Sequence, residues 1–344
     1  MIELSNNDLV FSFPDVHREA RLEISFHRTL RIPDDGNDYP LPPSLGDFPV
    51  SHVDDFAVKV PPDWLRHGGV MMPMHQSEAL WLSFDTGWIE DREAEYPFAV
   101  KIAAGKINAV TGEAWSDGLA TGPQDYLVVP EQPWLDGYCV EEGIIRQFVA
   151  MPLGSGYSAE EQITGEAVHG GLQIAVFPMK RKVFDKRFPL VRHETRNFME
   201  LSPTVKASEM AWESSEMGLA PGGRMKQEIY EDPFDFADWN RTDTSRCFVH
   251  LTNSIVWKQI TNSEPPTVPV SAADYVAAGL PWFEYYGETA VVEGGGRLAG
   301  LKGISENANE KGDPNLSENQ AVSPEHVVVL RQGLNTGQVR EGQI

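Results

Sequence analysis

Thirty glycines and 25 prolines punctuate this chain of 344 residues. Both residue types interrupt regular structure, so no element can be long and most of the chain must be built from short pieces joined by turns. The pieces themselves alternate. In Leu9 to Phe13, the apolar Leu9, Phe11 and Phe13 fall on one face. In Arg21 to Ile32, Leu22, Ile24 and Phe26 do the same. In Glu78 to Phe84, Leu80, Leu82 and Phe84 oppose Ala79, Trp81 and Ser83. A period of two is the signature of half-buried strands. Phe98 to Ala103 and Ile107 to Val110 flank a turn at Ala104, Gly105 and Lys106 and read as a hairpin. Tyr126 to Val129, Ile144 to Met151 and Leu172 to Phe177 are further expected strands. Phe248 to Ile260 fits helix and strand periods equally well.

Helical signals are sparse. Ser158 and Glu161 form a capping box, and Gly165 stops the helix it opens. Ser271 with Asp274 repeats the device, followed by Gly279 and Pro281. Pro203 to Met217, capped by Ser202, is a third expected helix. The pattern as a whole predicts an α+β fold, predominantly antiparallel β, as a sandwich or distorted barrel with a few short helices. Residues 1–302 read as one β-rich body, with a lobe boundary near 180–225 as the alternative. Residues 303–325 lose their apolar content and read as a mobile linker. Residues 326–344 read as a short docking strand, His326 to Leu330, and a tail.

Charge narrows the function. Lys and Arg total 28 and Asp and Glu 51, a net charge of −23. Such a field repels phosphate backbones, which argues against general nucleic-acid binding. The stretch from Lys180 to Arg187 is the exception: a cationic run expected as a solvated hairpin connection. No apolar run reaches the length that spans a bilayer. With no signal peptide visible, a cytoplasmic location is expected, with Cys139 and Cys247 as buried thiols.

Four segments carry candidate chemistry. The first runs from Met74 to Trp81, where His75 and Glu78 stand three apart. The second holds Trp134, Asp136, Tyr138, Glu141 and Glu142, an acidic and aromatic mixture of the kind that binds or cleaves sugars. The third is Asp232, Asp235, Asp238 and Asn240, hard oxygens suited to a cation but not in EF-hand spacing, so no metal is expected and these remain an alternative. The fourth is Trp282, Phe283, Glu284, Tyr285 and Tyr286, four rings around a carboxylate, read as a turn after the Ser271 helix that throws the rings in different directions. Nucleotide, zinc and serine-hydrolase motifs are missing: Gly105-Lys106, Gly294 to Arg297 and Gly154 to Gly156 each lack the required spacing. No cofactor is expected.

These features favour a non-enzymatic binding or assembly protein. Its ligand-binding residues would be Trp134, Tyr138, Trp282, Phe283, Tyr285 and Tyr286, and its partner a protein, a small molecule or a second copy of the chain. The alternative is a hydrolase of a sugar- or polyol-like substrate, using Glu78, Asp136 and Glu284 as paired carboxylates.

Three phrases carry a resemblance: Arg28-Thr-Leu-Arg-Ile-Pro-Asp-Asp-Gly36, the run from Tyr96 to Gly112, and Gly279-Leu-Pro-Trp-Phe-Glu-Tyr-Tyr286. They resemble a family of uncharacterised bacterial proteins of about this length, over residues 18 to 290. The resemblance implies a free-standing bacterial protein and assigns no activity to any residue.

Overall fold

The structure is a computed structural model that describes residues 1–191, 216–287, 289–314, 316 and 319–331. Its frame is two sheets packed face to face. The first is ten-stranded, and its main path runs Ile2–Ser5, Asp8–Ser12, Arg21–Thr29, Ala79–Asp85, Ile144–Pro152, Met217–Lys226 and Asp38–Tyr39. The second is seven-stranded, running Ile107–Asn108, Phe98–Ala104, Leu172–Pro178, Ser245–Asn253, Val70–Met74 and Ser51–His52. Most pairings are antiparallel and neither sheet closes into a barrel, so of the two expected forms the α+β sandwich is the one found.

The alternation read from the sequence is what joins the sheets. Leu22, Ile24, Phe26, Leu80 and Leu82 from the first meet Val100, Ile102, Ile174, Val176 and Val249 from the second in one buried cluster. Each such side chain contributes roughly 1.5–3 kcal/mol by leaving water. The hairpin turn falls at Gly105 and Lys106, both with positive φ, as a two-residue turn matched to strand twist requires.

Helices patch the outer faces. Ser254–Thr261 packs Val256, Trp257 and Ile260 on Met71, Val53 and Trp64. The ambiguous segment is thus both things in turn: a strand to Asn253, whose side chain then caps a helix by accepting from the amides of Ile255 and Val256. The Ser158 and Ser271 caps form as expected, heading Ala159–Thr164 and Ala272–Ala277.

Other expectations are corrected. Lys180 to Arg187 is not a hairpin connection: Arg181–Arg187 is a helix that buries Phe184 against Tyr96. The expected helix from Pro203 lies outside the described residues except for Glu216 and Met217, which are extended. Of the range 180–225 expected to hold a lobe boundary, residues 192–215 lie outside them. Within the expected linker, Ile304–Lys311 is helical and sets Ile304 and Ala308 on Ala79, Val149 and Ala220, the outer face of the first sheet. Composition misses this because two small apolar contacts suffice when the helix end is tied from afar. The amide of Ser305 donates to Asp34 Oδ2 at 2.8 Å, and Asp34 also receives Arg146 at 3.1 Å. A Cβ at Gly303 would lie 2.1 Å from the Asp34 carboxylate, so a larger residue there would push that carboxylate off the helix end. Val327–Arg331 is a strand, parallel to Trp282–Tyr286.

Replacing Ile304 by Ala should therefore cost about 2–5 kcal/mol, as for any core aliphatic. A denaturation midpoint that does not move would return residues 304–311 to the linker class.

Candidate functional site

The outer face of the first sheet carries a pocket of about 280 Å³. Its placement follows from register. Trp134–Leu135 pairs with Ala79–Asp85 so that Trp134 lies opposite Ser83. Trp81 and Ser83 share a face because they are two residues apart, so Trp81 and Trp134 are diagonal neighbours on the outside of the sheet. His27, opposite Trp81 on the next strand, stacks on its ring at 4.1 Å. That imidazole is itself held at both nitrogens, by Asp47 at 2.6 Å and Ser83 at 2.7 Å.

The far wall comes from the small parallel sheet. Trp282–Tyr286 is a strand and not the expected turn, so its rings alternate. Trp282 is fully buried between Tyr39 and Tyr275, an anchor in the core and not a ligand contact. Phe283 points the other way and lines the pocket with Leu330 of the partner strand. Tyr285 meets Trp134 edge-on at 4.7 Å. Tyr286, at the strand end, is 46% exposed. Phe283 also exchanges two backbone hydrogen bonds with Leu41, at 2.7 and 2.9 Å. This ties the proline-rich run into the site, where Leu41, Pro42 and Pro43 form the third wall. Proline holds that wall in place because its φ is locked.

Asp136 also lines this pocket. It stands two residues beyond Trp134, between the strands Trp134–Leu135 and Gly137–Glu141, and is 4% exposed. Among the described residues, no cation pairs with it. Gln227 donates to its Oδ2 at 2.7 Å and in return accepts from its amide at 3.0 Å. Burial disfavours the charged form and pushes the carboxyl up to about 7, against the smaller opposing effect of the Gln227 hydrogen bond.

The other expected site residues separate. Glu78 is buried with Arg28, at 2.7 Å, and accepts the amide of His75 at 2.8 Å. Glu284 alternates away from Phe283 and pairs with Lys226 at 2.7 Å. Tyr138 is fully buried, its hydroxyl donating to the Leu219 carbonyl, and so is withdrawn from any binding surface. Asp232 accepts from Tyr126 and Trp239, Asp238 pairs with Arg187, and Asp235 points to solvent. Among the described residues, no three His, Cys, Asp or Glu side chains converge on a metal position. Cys139 and Cys247 are buried thiols, pushed up to about 12 by burial. Among the described residues, no helix is long and apolar enough to cross a membrane.

Three of the four candidate segments thus converge: Trp81 from the first, Trp134 and Asp136 from the second, Phe283 from the fourth. Sequence reasoning did not single out Trp81, although a tryptophan on the outward side of an alternating strand was its visible signal. Leu41 to Pro43, in a run broken by prolines, gave no signal. In comparisons with known proteins, no family model, no curated protein and no solved structure matches the chain.

The Asp136 carboxyl sets a pH dependence. Its folded value of about 7 lies above the ordinary 3.8, so the folded chain keeps a proton that the unfolded chain has released. Stability from this group is greatest below about pH 4 and falls as pH rises to about 7, by up to about 4 kcal/mol. Asp136→Asn keeps an acceptor for Gln227 and removes the titration. Urea denaturation should show the variant gaining on the native chain between pH 4 and 7. A constant difference across that range would mean that Asp136 does not ionise there.

Proposed function

We propose that this chain is a binding protein for a small organic cation, an ammonium with an apolar body, held in the pocket of Trp81, Trp134 and Phe283. The observation that carries the reading is a buried carboxyl that has no cationic partner among the described residues, in a pocket lined by three aromatic rings. Aromatic faces attract cations through their quadrupole, by about 0.5–2 kcal/mol per ring depending on desolvation. A carboxylate beneath them supplies the counter-charge that burial otherwise makes costly. The net charge of −23 adds a long-range field that draws cations towards the surface. The size suits a group such as trimethylammonium better than a polymer.

The hydrolase alternative receives less support. Cleavage of a glycoside by the usual route needs two carboxyl groups flanking one bond. Among the described residues, Asp136 is the one carboxylate in the lining, while Glu78 and Glu284 are engaged with Arg28 and Lys226.

Calorimetric titration with choline tests the reading. Binding should be saturable and favour the ionised Asp136, so affinity should rise about tenfold from pH 6 to pH 8, following the fraction of carboxylate. Trp134→Ala should weaken it about tenfold or more, and Asp136→Asn should abolish the pH dependence. The uncharged isostere 3,3-dimethylbutan-1-ol should bind far more weakly. Equal binding of the alcohol, or no binding of choline at pH 8, would overturn the proposal.

A further inference from the structure

The outer face of the second sheet holds a groove of opposite character, of about 430 Å³. Its floor is Phe248, on the strand Ser245–Asn253. One wall is His67, the last residue of the helix Pro62–His67. The chain leaves that helix through Gly68 and Gly69, both at positive φ, and a Cβ on Gly69 would strike the Phe248 carbonyl at 2.1 Å. This close approach lays the His67 ring on Phe248, with centroids 4.8 Å apart and planes 8° from parallel. The stack continues inward through His250, at 4.5 Å, to Trp64, at 4.5 Å.

The opposite wall is Trp115. Its loop is tied down from beneath by Lys101, a lysine only 1% exposed. The Lys101 ammonium donates to the carbonyls of Ser116 and Gly118, each at 2.9 Å, and pairs with Asp125 at 2.6 Å. It also lies 5.4 Å from the centre of the Trp115 ring. A wall fixed by a buried, fully engaged cation is held in shape before any ligand arrives.

Three cationic or protonatable groups face this aromatic slot: His67, Lys106 and Arg246. They come from three distant parts of the chain, and they cluster against a net charge of −23. Lys106 stands out in conformation. It occupies the turn position after Gly105 at φ +59°, where a lysine is strained. Its amide is held there by Gln173 Oε1 at 2.5 Å. Arg246 is paired with Asp117, which also lines the groove. Asp117 is well exposed, so the pair leaves the guanidinium fixed at the rim and the Lys106 ammonium as the principal charge for a ligand. The field of these groups is felt locally: burial first, and then Lys106, holds His67 below its ordinary range.

We propose that this groove is a second binding site, for a small anion joined to a flat aromatic ring, such as a phosphate ester or carboxylate of an aryl group. The ring lies in the slot between Trp115 and the His67–Phe248 stack, and the anion meets Lys106 and Arg246. Neither half suffices alone. Stacking without charge is weak on a wet surface, and a lone anion meets the repulsion of the acidic chain.

Phenyl phosphate is the probe, with inorganic phosphate and phenol as its halves, each titrated calorimetrically into the full chain. Phenyl phosphate should bind at least about tenfold more tightly than either half, and its affinity should fall as salt is raised. Lys106→Gln should weaken it about tenfold with an unchanged melting temperature. Trp115→Leu should weaken phenyl phosphate but leave inorganic phosphate unaffected. Should that variant fail to fold, Arg246→Gln, at an exposed side chain, replaces it and should also weaken phenyl phosphate. No saturable binding of phenyl phosphate, equal binding of inorganic phosphate, or wild-type affinity in Lys106→Gln would each overturn the proposal. Choline binding is unaffected by these variants if the two sites are independent, which separates this result from the test of the first pocket.

Discussion

Each of the two sheets has an apolar face that water would penalise, and the mutual covering of those faces is what everything else hangs on. Leu22, Ile24 and Phe26 can be buried only if the opposing sheet presents Val100, Ile102 and Ile174 at the same height. Once that layer closes, the direction of every neighbouring residue follows. Trp81 must face outward because Leu80 and Leu82 face inward. Phe248 and His250 must face outward because Val249 and Leu251 are in the core. Both proposed binding sites are therefore by-products of the same alternation: they lie on the two outer faces, at places where the covering helices and loops leave a gap.

Those outer faces differ in what covers them. On the first sheet, the small parallel sheet of Trp282–Tyr286 and Val327–Arg331 is pinned by Trp282, while Phe283 is left to line the gap. On the second, the loop carrying Trp115 is pinned by Lys101. Burying a lysine costs several kcal/mol unless its hydrogen bonds are satisfied. Here three oxygens of Ser116 and Gly118 and the Asp125 carboxylate satisfy it. Asp136 is the contrasting case: a buried carboxyl with an amide for company and, among the described residues, no cation. One buried group has its partners and serves structure; the other is the group on which the proposed ligand site rests.

The local signals in the chain were read well where short-range physics decides. Alternation located strands such as Arg21–Thr29 and Ala79–Asp85, though not Val70–Met74 or Met217–Lys226, and Ser158 and Ser271 located helix starts, because a side chain capping an amide three residues on needs nothing distant. Asn253 illustrates where a single period misleads. Strand and helix patterns overlapped across Phe248 to Ile260 because the segment changes from one to the other at that cap. The helix Ile304–Lys311 was illegible in a polar stretch, since its anchor is Asp34, 271 residues away along the chain.

The strongly alternating strands, which of their residues share a face, the acidic balance and the list of aromatic and acidic segments are properties of neighbours along the chain, and composition and period suffice to read them. Which of those segments meet is a property of register and topology. Trp134 lies beside Trp81 because it pairs opposite Ser83, and Phe283 joins them through the backbone of Leu41. Tyr138 and Trp282, alike in sequence to the rings that line the pocket, were drawn into the core by the same pairing. Glu78 and Glu284 acquired Arg28 and Lys226 as partners, and Asp136 did not. The physical reason is that burial and ion pairing depend on distances between strands, which hydrogen-bond register sets and local sequence leaves open.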